Sequence, residues 1–198
     1  MPSKNVLRGL LIVLSFAVSA PSRAETLERV LAVVDGAPVL MSEVRVFARL
    51  KGLLPEQGLD GTIDEILMFR EASRLPEARL SPEEEELATQ QLVARLGSGA
   101  APNLTLLRRI ARRQAAILKY VAFRFQPQIK VGEAAVADAY AADIAGRPGA
   151  APLSAVSSEI ESRLIARARD ERIEAWIGEL RIGARIRKNK ELVPDQPR

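Results

Sequence analysis

The sequence predicts a mainly α-helical protein whose few strands come from widely separated parts of the chain. Three observations predict it. A β-rich run interrupted by Asp35-Gly36 comes early, and apolar residues at helical spacing recur through most of the remaining chain. Near the other end, Ala184 to Lys188 alternates small or apolar with basic residues, in the manner of an edge strand. A two-stranded hairpin is marginal in water on its own. The hairpin is therefore expected to be clipped by the 184–188 strand, with the helices between them forming a single core.

The chain of 198 residues is long enough for one domain with an appendage. Lys4 and Arg8 precede an apolar run from Gly9 to Ala20, and "SRA" (Ser22 to Ala24) offers small residues where a signal peptidase reads. Residues 1–24 are thus expected to be a cleavable export signal. The apolar run falls short of the roughly 20 residues that span a bilayer, so stable membrane insertion is not expected. Without Lys4, Arg8 and Arg23, the 29 basic and 25 acidic residues become 26 and 25, and the net charge falls from +4 to +1. That balance argues against a nucleic-acid partner, which needs a concentrated basic face.

Cysteine and histidine are both absent. No disulfide can staple the fold, and Cys/His zinc sites, a catalytic triad and a thiol nucleophile are all excluded. No constellation of carboxylates, Lys, Ser, Thr or Tyr stands out, so no catalytic residue, cofactor site or metal site is expected. "SPEEEE" (Ser81 to Glu86) has four adjacent carboxylates, but consecutive helical positions diverge and cannot converge on one substrate.

Element by element, Val30 to Val34 and Ala37 to Leu40 read as the hairpin strands. Pro38 is tolerable only if its missing N–H faces an open edge. Ser42 is the expected cap of a helix from Glu43 to Lys51, and Gly52 to Gly61 reads as a loop. Thr62 and Glu65 read as a capping box for a helix through Ser73, with "ILMF" (Ile66, Leu67, Met68, Phe69) widening its apolar stripe. Ser81, Pro82 and the acids after them open a helix to Leu96, stopped by Gly97. A long helix comes next, with Leu107, Ile110, Gln114, Ile117 and Val121 on one face and Leu118 and Phe125 beside it; Pro127 ends it. "IKV" (Ile129 to Val131) suggests a short extended piece before a brief helix from Glu133.

"AGRPGAAP" (Ala145 to Pro152) reads as a linker. The helix beyond it, Ser154 to Ile182, carries a stripe of Ile160, Leu164, Ile173, Trp176, Ile177 and Leu180. The expected organisation is a signal (1–24), a helical domain (25–144), a linker (145–153), a long helix with closing strand on the same core (154–188) and a disordered tail (189–198).

The order of "RVLAVVDGAPVLMSEV", "IDEILMFREASRL", "ARLSPEEEE" and "QIKVGEAAVADAY" resembles the N-terminal region of SurA-type periplasmic chaperones. "EIESRLIARARDERIEAWIGELRIGARIR" likewise resembles that family's C-terminal helix and closing strand, so the resemblance covers most of residues 27–188. Relatives commonly carry parvulin prolyl-isomerase domains between these parts, each needing on the order of 100 residues. Here "AGRPGAAP" joins the parts directly, and the histidines of parvulin sites are missing. The resemblance implies a periplasmic holdase without isomerase activity, binding unfolded polypeptides on their way to the outer membrane.

Such a protein needs an apolar groove that tolerates many sequences. Ile66, Leu67, Met68 and Phe69 are the candidate groove residues, their competing role being plain core; Trp176, spaced with Ile173 and Leu180, reads as a core anchor. Two other readings stay open. One is a non-catalytic assembly factor with a single dedicated envelope partner. The other is an anionic surface bound by Arg108, Arg109, Arg112 and Arg113, which share one flank of their helix. Closure of one core by distant strands also permits exchange of elements between two copies of the chain, giving a homodimer.

Overall fold

A computed structural model describes residues 28–97 and 103–189, which form six α-helices and a three-stranded antiparallel sheet. The segment expected to be an export signal (1–24) and residues 190–198 of the expected tail lie outside the described residues. Strands β1 (Val30–Val34) and β2 (Ala37–Leu40) make the hairpin; β3 (Ile186–Lys188) pairs on the other side of β1, giving the order β2-β1-β3. The clip expected from the sequence is present, three residues long rather than five.

The hairpin forms because Asp35 and Gly36 both adopt positive φ (49° and 90°), the twist-matched two-residue turn for which Asp-Gly is favoured. Asp35 is then fixed by an ion pair with Arg70 and by the Arg185 N–H, 2.8 Å from its carboxylate. Those contacts hold its pKa below the ordinary carboxylate range, the Arg185 N–H contributing most. A bulge between Val30 and Ala32 turns both Leu31 and Ala32 inward, so they join Val34 and Val39 on the core face.

Strand β2 runs straight into helix α1 (Met41–Lys51), so the cap position belongs to Leu40 and not Ser42. Glu43 supplies the missing acceptor, its carboxylate taking the Leu40 N–H at 3.3 Å. The expected loop from Gly52 to Gly61 is instead a 3-10 turn (Pro55–Gln57) and the first turn of α2 (Gly58–Ala72). Thr62 is therefore interior and caps nothing: its hydroxyl donates to the Gly58 carbonyl at 2.8 Å. Tertiary packing is the reason. A side chain at Gly61 would overlap the Phe47 ring, and one at Gly58 would press on the Val44 carbonyl and Ala48. Both glycines are tolerated inside a helix because α1 lies against them, which outweighs their low helical propensity.

Helix α3 (Pro82–Leu96) begins as expected: the Ser81 hydroxyl accepts the Glu84 N–H, and the Glu84 carboxylate accepts the Ser81 N–H. Helix α4 (Leu104–Arg124) lies against α2 and α3, and Leu118 on it is 69% exposed, outside the packed face. Residues 129–132 form no strand. Helix α5 (Glu133–Asp143) packs on α6 (Leu153–Ile182), held by Arg163–Asp143 and by the Tyr140 hydroxyl on the Ala151 carbonyl, both 2.8 Å. Residues 145–152 make the turn between them.

Three apolar clusters fill the interior. The first joins the sheet to α1 and α2 (Leu31, Val34, Val39, Val44, Ile63, Leu67), with Leu180, Ala184 and Ile186 packed on it. The second joins α2, α4 and α6 through Met68, Ile117, Tyr120, Val121 and Trp176. The third joins α1, α3 and α4 through Val46, Leu92, Leu107 and Ile110.

The two kinds of helical glycine predict opposite effects of alanine. Gly61→Ala should lose about 1–3 kcal/mol by overpacking against Phe47. Gly178→Ala, within α6 with nothing near its Cβ position, should gain about 0.5–1 kcal/mol. Urea-unfolding midpoints of the two variants should move in opposite directions; an unchanged or raised midpoint for Gly61→Ala would contradict the packing described for α1 and α2.

Candidate functional site: an aromatic cleft beside helix six

The four expected groove residues do not form a groove. Leu67 is buried in the first cluster and Met68 in the second, while Ile66 and Phe69 are half-buried against the first and second respectively. Consecutive helical positions point in different directions, so a four-residue apolar run divides between cores rather than lining one opening. Phe69 alone reaches a small recess of about 210 Å³, with Ser73, Ala78 and Arg112 around it.

A wider cleft, about 460 Å³, opens where the C-terminal turn of α4 meets α6. Its floor is aromatic. Tyr120 and Trp176 stack with centroids 4.7 Å apart and planes 12° from parallel, and Phe125 meets Trp176 edge-on at 5.5 Å. These are favoured geometries, each worth about 0.5–1.5 kcal/mol beyond burial. Leu180 and Ala175 extend the apolar lining, and Glu71, Arg124, Arg172 and Glu179 stand on the rim. Gln128 ties one side down: it donates to the Arg124 carbonyl at 2.7 Å and accepts from the Arg172 guanidinium at 3.2 Å. Burial raises the Tyr120 pKa and the Glu71 carboxylate adds to it, Arg124 opposing both. The hydroxyl therefore stays neutral at physiological pH and serves as a hydrogen-bonding group.

Chemically, the cleft can receive an apolar or aromatic side chain against its floor while rim charges of both signs and the Gln128 amide meet backbone polar groups. Sequence reasoning identifies Trp176 as an anchor and places Phe125 beside an apolar face, but misses Tyr120 and the rim. Tyr120 lies three residues after Ile117, and that spacing is the available signal; its stacking partner is on a helix more than fifty residues away.

The basic run of α4 is not a free cationic surface. Arg108 faces Glu86 at 3.9 Å, Arg112 faces Glu85 at 3.2 Å and Lys119 faces Glu84 at 2.9 Å, so the acids of α3 and the bases of α4 form a ladder between the two helices. Arg113 does not share that flank. It is buried, with Nη1 3.0 Å from Glu43 and Nε 3.3 Å from Glu65, and Arg109 approaches Glu43 at 3.4 Å from the outside. The Gln114 amide donates to the second Glu65 oxygen at 2.8 Å. Sequence spacing holds the clue here too, since Arg113 falls between Ile110 and Ile117 on the buried side. This cluster ties α1, α2 and α4 together in the interior.

Among the described residues, no group of three acidic side chains is placed to hold a metal ion, and no helix is long and apolar enough to cross a membrane. Comparison with protein-family models, with curated proteins and with solved structures finds no match.

The buried cluster has two measurable consequences. Arg113→Ala leaves Glu43 and Glu65 without their shared cation and should cost about 3–5 kcal/mol, read as a lowered urea midpoint. Glu65 has its pKa raised, desolvation outweighing Arg113 and Gln114. The folded state thus keeps this proton to higher pH than the unfolded state does. Its stabilising effect is full below the unfolded pKa and is lost as pH rises through the folded one. The stability of the native protein minus that of Glu65→Gln should therefore fall with rising pH across that window; a rise would contradict the direction of the shift.

Proposed function

We propose that this protein is a holdase-type periplasmic chaperone that binds unfolded polypeptides, outer-membrane proteins among its clients, and has no isomerase activity. The observation that carries this reading is the aromatic-floored cleft between α4 and α6, apolar inside and charge-balanced at its rim. An apolar floor favours side chains by type rather than by sequence, and a rim with both signs excludes few clients by charge. Three features of the sequence support it: the export-signal pattern of residues 1–24, the absence of histidine and cysteine, and the resemblance to SurA-type chaperones without a parvulin domain.

The test is suppression of aggregation of an unfolded outer-membrane β-barrel protein by the purified chain, with an unfolded globular protein alongside. Concentration-dependent suppression of both is expected. Ala175→Arg, an exposed substitution at the cleft lip, should weaken suppression at least tenfold while leaving the unfolding free energy within about 0.5 kcal/mol of the native protein's. Trp176 is the only tryptophan in the chain, so its emission should shift as client fills the cleft. No suppression of either client by folded protein would sink the holdase reading and favour a dedicated partner.

A further inference from the structure

Among the described residues, the outer edge of β3 is an open strand edge. The Arg185 carbonyl accepts the Asp35 N–H at 2.9 Å and the Asn189 N–H donates to the Leu31 carbonyl at 2.8 Å, so the odd-numbered residues of this segment bond toward β1. Alternation along a strand then sends the backbone N–H and C=O of Ile186 and Lys188 the other way, to the side where the described residues place no neighbouring strand. The opposite edge of the sheet is protected. Val33 bonds toward β3, which makes Val33–Pro38 a non-hydrogen-bonded pair, and Pro38 turns its missing N–H outward.

The side chains along β3 are sorted by face. Ile186 points to the core side, packed on the first cluster, while Arg187 stands beside Val33 on the other face, exposed. A depression of about 660 Å³ lined by Val33, Asp35, Gly36 and residues 184–187 lies along this strand. Its charge is positive on balance. Asp35 is paired with Arg70, Lys188 reaches Asp60 at 2.7 Å, and among the described residues Arg187 pairs with no carboxylate.

We propose that β3 is a docking edge for an extended partner segment with acidic side chains at alternate positions, which adds a fourth strand to the sheet. The strand's outward N–H and C=O groups would supply main-chain bonds, Arg187 and Arg185 would receive the acids, and apolar residues between them would lie beside Ile186. A second copy of the chain fits poorly, because pairing β3 with itself sets the same basic residues against each other. The proposal does not rest on the holdase reading, since the aromatic cleft uses different residues.

The probe is an eight-residue peptide of alternating Glu and Val, acetylated and amidated, against its Lys-Val counterpart, measured by fluorescence anisotropy with the whole chain. The Glu peptide should bind at least tenfold tighter, and Arg187→Glu should reverse the preference. Lys188→Pro removes one outward N–H and should bind the Glu peptide at least tenfold more weakly than Lys188→Ala, which shares the loss of the Asp60 pair. Circular dichroism checks that each variant folds. Equal binding of both peptides, or no difference between the two Lys188 variants, overturns the proposal. So does a dimer in sedimentation equilibrium that excludes the peptide, or binding that appears only when residues 190–198 are removed. Ala175→Arg, which blocks the cleft, should leave the preference for the Glu peptide over the Lys peptide in place, which separates this edge from the cleft.

Discussion

Strand β1 is hydrogen-bonded on both sides, by β2 a few residues later and by β3 some 150 residues on. Neither pairing is stable alone, since a hairpin or a three-residue strand has too little surface to bury. They hold because Val34, Val39 and Leu31 face α2 across the first cluster, onto which Leu180, Ala184 and Ile186 close from the end of α6. That closure fixes the path of α6. To deliver Ile186 to β1, the helix must cross α2, and this crossing sets Trp176 against Tyr120. The cleft is therefore a consequence of how the sheet is completed. Ion pairs of Arg181 with Asp64 (2.5 Å) and Asp60 (3.5 Å) hold the same crossing at the α2 end.

Helix α2 is the element that every cluster but the third shares, and it is where the sequence is least legible. The hairpin, the Ser81 cap and the ends of α3 and α4 are legible because each is encoded within four or five residues: Asp35-Gly36, Ser81-Pro82 with Glu84, Gly97, Pro127. The start of α2 is not. Gly58 and Gly61 look like a loop in isolation, and Thr62 with Glu65 looks like a cap. Their actual roles, close approach to α1 and a salt bridge to Arg113, involve residues from about ten to nearly fifty positions away. Local rules fail where tertiary packing decides.

The charged residues divide by the same logic. Four arginines in "RRIARR" look alike in composition, yet three lie on the outside against acids and one is interior. Removing a buried pair outright is often neutral, whereas removing one partner is costly, so such a cluster fixes arrangement more than it adds stability. Here the arrangement is threefold: Glu43 from α1, Glu65 from α2 and Arg113 from α4 can meet only when all three helices are in register. Glu43 also accepts the Leu40 N–H, which couples the register to the point where β2 becomes α1.

The last two turns of α6 bring Trp176 and Leu180 to the aromatic cleft, and the same chain continues into the β3 edge. Trp176 and Ile182 are six residues apart, about 9 Å along a helix axis. An extended chain covers that span in roughly three residues, so under the proposed reading a segment seated on Trp176 reaches the end of α6, from which residues 183–185 lead into β3. If both surfaces bind, a single segment engaging the two would raise effective concentration at the second once the first is filled. Weak, sequence-tolerant capture by aromatic contact would then gain direction from main-chain pairing at β3. The two contributions differ in salt response, because the cleft's rim is charge-balanced while Arg185 and Arg187 make the edge cationic. Screening should weaken the second and leave the first in place, which makes ionic strength the variable that separates them in a client that uses both.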